Sequence, residues 1–586
     1  MNSTKNNEVA SPTGILYSRI GYDLGDPIRV IVRGNKSTFT AKTVTAEVLD
    51  SSVEKPKTPV TYWGECWGSH WWVADVSVLF ATQVRREWTG YYRVDIFPGD
   101  RSRGTFAEHN YERQETTQFR VKENHLWETT WRHVGLNQAE RRQIFARGGV
   151  GWFDAGMEWM EASSHAAYLV GFLDVLQYAA SAITAEERVR VEKQILNGCD
   201  YLAVLQEMAE KLPGQSGGIV HQSWKYDDVV LGSDTSKAAV CWARAARLLS
   251  ATHGGKKTEY QARAVRAMTF LRERAKPCGG HGFHRQFHGA ADEFLVPDEW
   301  MTRDLLQHLW AATELVQAGE TGFLAEAVAL AEQVMARQVP PADAAKYDGL
   351  YGHFRTFTTG DLIEKAWCHN LEGKIAGADT GGHFPHWVLP LLYLSERHPD
   401  HPNAPRWRVC VRDFAYGYFL SACSRNPFYL LPQGWYEGEG LISFAGLWHG
   451  MNAAYGLAAA LAWEFERAFG DARFRNIYTG NVQWIAGLNA GLTRESLKGS
   501  VLFDKEVAPG VALPVSLIHG FGMQSAGCWL NIKGAIGNGF ATGAQFKFDV
   551  PPTQANDAPS SFTDEDWISH AGAWLSALSR RQSSPV

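Results

Sequence analysis

From residue 14 to about residue 122, apolar and polar positions alternate with a period of two. Short runs rich in β-branched and aromatic residues recur at Ile28–Val32, Thr43–Val48, His70–Val76, Tyr91–Ile96 and Gln118–Val121. Turn residues such as Arg33-Gly34-Asn35 and Pro98-Gly99-Asp100 separate them. Runs of this length and spacing predict roughly seven strands folded as a β-sandwich over residues 14–122. Residues 1–13 are polar, carry no period and are expected to be disordered.

From about residue 125 the period changes to 3.6. Helices are predicted near 160–181, 184–207, 235–253, 258–276, 299–318, 321–338, 383–396, 406–423, 447–468, 472–488 and 564–580. Asp234 or Thr235 is placed to cap the Ala-rich helix that follows it. Short connections alternate with long ones, and the long ones (278–298, 340–382, 424–446 and 491–563) are rich in Gly, His and aromatic residues. Loops of that length in a compact domain are usually functional. The pattern predicts an (α/α)6 toroid over residues 123–586, its long loops gathered at one end around a cleft.

Composition sharpens this picture. The 586 residues include 23 Trp, an excess that fits both a large helical core and a cleft lined with flat faces for sugar rings. A net charge of −6 gives nothing to attract a phosphate backbone, so no nucleic-acid partner is expected. No apolar run is long enough to span a membrane, and no apolar segment follows the N-terminus, so a cytoplasmic location is expected. The eight Cys are scattered without a C-x-x-C pair, and read as free thiols in a reducing compartment. His281, His284 and His288 cluster in a loop without helical spacing, so neither a metal site nor a cofactor is expected.

The densest chemistry lies in Val150-Gly151-Trp152-Phe153-Asp154-Ala155-Gly156-Met157-Glu158-Trp159-Met160-Glu161. A carboxylate beside Trp152 and Phe153 in a Gly-flanked loop is placed to act on a bound ring. A second acidic cluster, Thr563-Asp564-Glu565-Asp566, opens the last predicted helix, where a capping box with Thr563 as cap is the competing reading. Gln433-Gly434-Trp435-Tyr436-Glu437-Gly438-Glu439 adds an aromatic loop with two carboxylates.

The Asp154-Ala155-Gly156 loop resembles the DAGD loop of family 9 glycoside hydrolases, and Glu565 resembles that family's C-terminal general acid. Ile20-Gly21-Tyr22 and Thr89-Gly90-Tyr91-Tyr92 resemble strands of the immunoglobulin-like domain that precedes many of its catalytic domains. The resemblance implies an immunoglobulin-like β-sandwich followed by an (α/α)6 toroid. It also implies an inverting hydrolase of β-linked oligo- or polysaccharide, and the expected cytoplasmic location, with short oligosaccharides as substrates, favours exo action. Glu565 is then the general acid and Asp154 positions or activates water, the two on opposite faces of the bond. Trp152, Trp435, Tyr436, His449 and His519 are the expected sugar contacts. The family's usual base position is Met157 here, so Asp154, Glu158 or Glu161 must take over. Two other readings stay open: a polysaccharide lyase on the same toroid, using His369-Asn370 with Tyr351 and His353 nearby, and a sugar-binding protein without catalysis.

Overall fold

The computed structural model describes residues 14–34, 41–48, 57–77, 90–98, 115–154, 160–224, 227–277, 299–355, 357–358, 362–363, 388–432, 434–436, 440–444, 452–489, 516–521, 532–541 and 561–583. Among the described residues, the N-terminal part contains nine strands. β1 (Gly14–Leu16), β3 (Arg29–Gly34), β7 (Ser69–Asp75) and β6 (Thr61–Cys66) form one sheet in the order β1-β3-β7-β6. β2 (Tyr22–Asp23), β9 (Glu115–Lys122), β8 (Gly90–Pro98), β4 (Ala41–Val48) and β5 (Lys57–Pro59) form the other, in the order β2-β9-β8-β4-β5. Val30, Val32, Trp72 and Ala74 of the first sheet share one apolar cluster with Tyr22, Phe119 and Val121 of the second. The period-two pattern has this cause: alternate residues of each strand must face that cluster.

The described helices form six pairs. The outer members are α1 (His125–Arg132) continuing through a π-helical turn into α2 (Gln138–Ile144), then α4 (Ala185–Ala209), α6 (Gly254–Glu273), α8 (Leu324–Met335), α10 (Ala404–Asp413) and α12 (Arg473–Ala486). The inner members are α3 (Ala162–Tyr178), α5 (Gly232–Leu248), α7 (Thr302–Gln317), α9 (Leu389–Arg397), α11 (Asn452–Phe469) and α13 (Ile568–Gln582). Helix α3 packs between α5 and α13, α7 bridges α5 to α9, and α11 packs on α13. Arg467 of α11 closes the ring on Glu396 of α9 at 3.0 Å. Close approach of the backbones requires Gly572, where an added Cβ would lie 2.2 Å from the Ala167 carbonyl oxygen.

Each outer helix reaches the next inner helix through a long segment, and each inner helix reaches the next outer helix through a short one. The long segments therefore enter the inner helices at their N-terminal ends. The opposite end is closed by charge. Arg580 pairs with Asp174 at 2.6 Å and Glu464 at 3.1 Å, Arg244 pairs with Asp174 at 2.7 Å, and Arg247 and Arg397 pair with Glu314 at 3.1 and 3.6 Å. All six inner helices contribute to this buried network. Its arginines lie near helix C-termini, where the helix dipole favours them. Cys199, Cys241, Cys410 and Cys423 are buried free thiols.

The β6–β7 hairpin docks the sheets on the toroid. Its tip, Trp67, has a left-handed backbone (φ 54°). The indole stacks on Phe428 at 5.8 Å, meets Phe444 and Trp484 edge-on, and donates to Ser443 Oγ at 3.2 Å. Asp23 and Asp26 accept an ion pair from Arg581 at the end of the last helix.

Four sequence expectations change. The first outer helix, α1 with α2, falls in no predicted helical segment. The last helix begins at Ile568, not at 564: Ser561–Asp566 is a strand, β15, paired with β14 (Gly537–Ala541). Thr563 stands in that strand opposite Gly539 and does not cap. Helix α5 starts at Gly232 after Leu231 without a side-chain cap, and Asp234 lies buried in its first turn. Three small hairpins complete the mouth: β10 (Phe354–Arg355) with β11 (Leu362–Ile363), β12 (Gly434–Tyr436) with β13 (Gly440–Ile442), and β14 with β15.

Candidate active site

The segment leading to Asp154 is fixed by one face of α4. Gln194, Asn197 and Tyr201, spaced i, i+3, i+7, all reach it. Gln194 Oε1 accepts from the Trp152 indole at 2.9 Å, Asn197 makes a reciprocal pair with the main chain of Gly151 at 3.0 and 2.9 Å, and the Tyr201 hydroxyl donates to the Met160 carbonyl. His165 ties the two ends of the loop together: its Nε2 accepts from the Trp152 N–H at 2.9 Å and its Nδ1 lies 2.8 Å from the Glu161 carbonyl oxygen. Burial holds this imidazole down to about 3, so it is neutral and can serve one ring nitrogen as acceptor and the other as donor.

Asp154 ends that strut, 2% exposed. Its carboxyl is pushed up to about 8, first by burial and then by the nearby charge of Glu161. Hydrogen bonds from Ser164 and the Ile568 N–H, and the charge of Arg142, oppose the shift without cancelling it. Among the described residues, nothing hydrogen-bonds to its Oδ1.

Arg142 joins this loop to the far end of the chain. Its guanidinium donates to the carbonyls of Phe153, at 3.0 Å, and Asp154, and to the carboxylate of Asp566. Gln138, one turn earlier, orients Arg142 through Nε at 2.9 Å and reaches the Gly534 carbonyl at 3.3 Å. Asp566 is thus held by Arg142 and is not a helix-capping residue.

Glu565 precedes it in β15. The register runs Gly537↔Asp566 and then Gly539↔Thr563, so Asp564 and Glu565 together oppose Asn538. This is a β-bulge, a device that bends a strand and re-aims a side chain, and such bulges recur beside active sites. The main chain of Glu565 therefore stands one residue from the Arg142 clasp; its side chain lies outside what the structure describes. His519 belongs to the neighbouring segment, bonded through its main chain to Ala535 at 2.8 Å and Gly534 at 2.9 Å, and its side chain is buried.

A buried polar cluster flanks Asp154 on the other side. His221 Nδ1 lies 2.8 Å from Asp234 Oδ2, and its Nε2 lies 3.7 Å from Glu161 Oε1. Ser163 donates to Asp234 at 2.8 Å and accepts from Lys237 at 2.9 Å. Burial alone would lower the His221 imidazole, but Asp234 and Glu161 outweigh it and raise it to about 10. Burial brings Lys237 down to about 8 against the pull of Asp234.

The remaining expected residues divide. Trp152 is a correction: fully buried among His165, Tyr168 and Phe172, it braces the loop and has no face left for a sugar. Trp435 is half-buried at the mouth, its indole N–H donating to Asp348 Oδ2 at 2.8 Å and its ring edge-on to Tyr347. Tyr436 follows it in β12, its side chain undescribed. His353 is enclosed between Tyr347 and Tyr418, and burial lowers it to about 4, so it is not open to a uronate. Met157, Glu158, His281, His284, His288, His369, Asn370, Glu437, Glu439 and His449 lie outside the described residues. Among the described residues no three metal-ligating side chains converge. Sequence reading passed over Arg142, His165, His221 and Lys237. The available signal was position: Arg142 is an i+4 partner of Gln138, His165 sits in the first turn of α3 and Lys237 in the second turn of α5, whereas His221, in a connecting segment, carries none.

No family model matches the sequence, and no curated protein sequence matches it. Solved structures do share its fold. The Bacteroides ovatus GH9 structure superposes with a TM-score of 0.57 at 13% identity, over 98% of this chain and 99% of its own. A metagenome-derived glycoside hydrolase family 9 endoglucanase gives 0.55 at 14% identity over 98% and 99%. AaCel9A in complex with cellobiose-like isofagomine gives 0.55 at 12% over 97% and 100%. The chain thus has the fold of family 9 glycoside hydrolases from end to end, an (α/α)6 toroid behind N-terminal sheets.

Proposed function

We propose that this protein is a glycoside hydrolase that cleaves β-linked glucans with inversion. The observation that carries the reading is the Arg142 clasp. One buried guanidinium binds the Asp154 carbonyl and the carboxylate of Asp566, the residue after Glu565, which supports a pairing of Asp154 with Glu565 across more than 400 positions of sequence. The bulge at Asp564-Glu565 supports a re-aimed acid at that point.

Glu565 donates its proton to the leaving oxygen as the glycosidic bond breaks, and Asp154 positions the water that attacks the opposite face. A carboxyl raised to about 8 is a hydrogen-bond donor at neutral pH, which favours positioning over proton removal for Asp154. Trp435, anchored on Asp348, supplies a sugar platform. The endoglucanase and cellobiose-like-ligand descriptions of structures sharing the fold support a β-glucan as substrate. The long segment between α8 and α9 is of a length to close one end of the cleft, which favours exo action on short chains. The N-terminal sheets, sharing one apolar cluster, support an immunoglobulin-like domain, and the buried free thiols support a cytoplasmic setting.

Cello-oligosaccharides of defined length, with the anomer of the released sugar followed by proton NMR, test the proposal. Release of the inverted anomer is expected. An unsaturated product from a uronate polymer, or tight glycan binding with no turnover, would replace it with the lyase or the binding protein.

A further inference from the structure

We propose that Glu161 is the residue that takes the proton from the attacking water. This rests on the hydrolase reading above and supplies the base that Met157 does not provide.

Glu161 immediately precedes α3, and its main chain bridges to Gln222. It is fixed there: its carbonyl accepts from His165, and the next residue, Ala162, donates its N–H to the His221 carbonyl at 3.0 Å. The side chain is 30% exposed, whereas Asp154 beside it is 2% exposed. Glu161 is therefore the member of this pair open to the mouth. Both of its described polar contacts, Gln222 Nε2 at 3.4 Å and His221 Nε2 at 3.7 Å, fall on Oε1. Among the described residues Oε2 receives no hydrogen bond, and neither does the buried Oδ1 of Asp154.

Two neighbouring carboxyl groups thus each present an oxygen without a partner among the described residues, and their roles differ. Asp154 is raised by burial and by the Glu161 charge, and so donates. Glu161 faces an imidazolium held by Asp234, which accepts from Ser163, itself the acceptor for Lys237. A water between them accepts from Asp154 and donates to Glu161. In the reaction, the water oxygen bonds to the anomeric carbon as the bond to the leaving oxygen breaks. One water proton passes to Glu161 and the Glu565 proton passes to the leaving group, so the products are two hydroxyl-bearing sugars. Solvent exchange then resets both carboxyl groups.

The test uses the full chain with cellotetraose and with a 2,4-dinitrophenyl β-cellobioside, whose leaving group needs no protonation. E161A and E161Q are expected to lose about 10²–10⁴-fold in kcat on both substrates. E565Q is expected to lose that factor on cellotetraose and keep turnover of the dinitrophenyl substrate. Azide, a small anion that replaces the water and needs no base, is expected to restore E161A turnover and yield a glycosyl azide of inverted configuration. E161Q preserves shape, and its Tm is measured beside the wild type to exclude misfolding. A natively folded E161Q with wild-type kcat overturns the assignment, as does a natively folded E161A that azide does not rescue; in either case the hydrolase reading survives. A wild-type chain that hydrolyses neither substrate overturns the hydrolase reading and this assignment with it.

Discussion

Arg142 and Asp566 form an ion pair in which each side chain is only 1% exposed. One partner belongs to the first outer helix and the other to the strand before the last inner helix, so the pair closes the toroid where its two ends meet. Arg142 also holds the Phe153 and Asp154 carbonyls. Removing one partner leaves a buried charge unpaired, which typically costs about 3–5 kcal/mol. Asp566→Asn is therefore expected to lower the stability by roughly that amount in urea titration. Glycan turnover is expected to fall further than Glu565 chemistry alone explains, because the bulge loses its anchor. An Asp566→Asn protein with wild-type stability would show that the clasp is dispensable.

Asp154 predicts a pH dependence of known sign. Its carboxyl titrates near 8 in the folded chain, raised by burial and by Glu161, and near 3.9 when unfolded. The folded state binds the extra proton between these values. Its contribution to stability is full below the unfolded pKa and is lost as pH rises through 8. Comparing the wild type with Asp154→Asn, the wild type is expected to lose a few kcal/mol relative to the variant between about pH 4 and 8. Denaturation midpoints at fixed ionic strength check this, and a flat difference would place the proton elsewhere.

His165 predicts the opposite slope. Burial keeps it neutral, lowered to about 3, while the unfolded side chain titrates near 6.5. Its contribution is full above the unfolded pKa and fades as pH falls toward 3. His165→Ala removes both bonds that tie Trp152 to Glu161 and is expected to cost about 2–4 kcal/mol. The lost protection is expected to concentrate in amide exchange of 151–165. Uniform loss across the toroid would refute a local clamp.

Much of this was visible in the sequence, for physical reasons that also mark its limit. Periods of two and 3.6 report which face of a strand or helix is buried, and both the sheets and the helices bury large faces. The alternation of long and short connections reported the toroid. Asp566 shows the limit: three acids after a Thr look like a helix start until a strand and a buried arginine claim them. Trp152 shows another, since a Trp beside a catalytic loop serves equally as platform or as brace. The partners that decide between these, Arg142, Gln194 and His165, come from other elements, and no local pattern announces them.

The tip of the β6–β7 hairpin supplies the last prediction. Trp67 holds a left-handed backbone that a bulky residue rarely adopts, and its indole joins Phe428, Phe444 and Trp484 while donating to Ser443. Phe444 and Ser443 lie just beyond the β12–β13 hairpin that carries Trp435. Trp67→Ala removes the aromatic contact and the hydrogen bond but retains the backbone strain, and is expected to cost about 3–5 kcal/mol. Trp67→Gly relieves that strain, so it is expected to be less destabilised than the alanine variant, against the usual order of the two residues. Both are expected to raise KM for cello-oligosaccharides more than they lower kcat, because Trp435 is displaced while the Asp154 loop is untouched. Equal loss in kcat for both variants would show that the sheets support the whole toroid and not this hairpin.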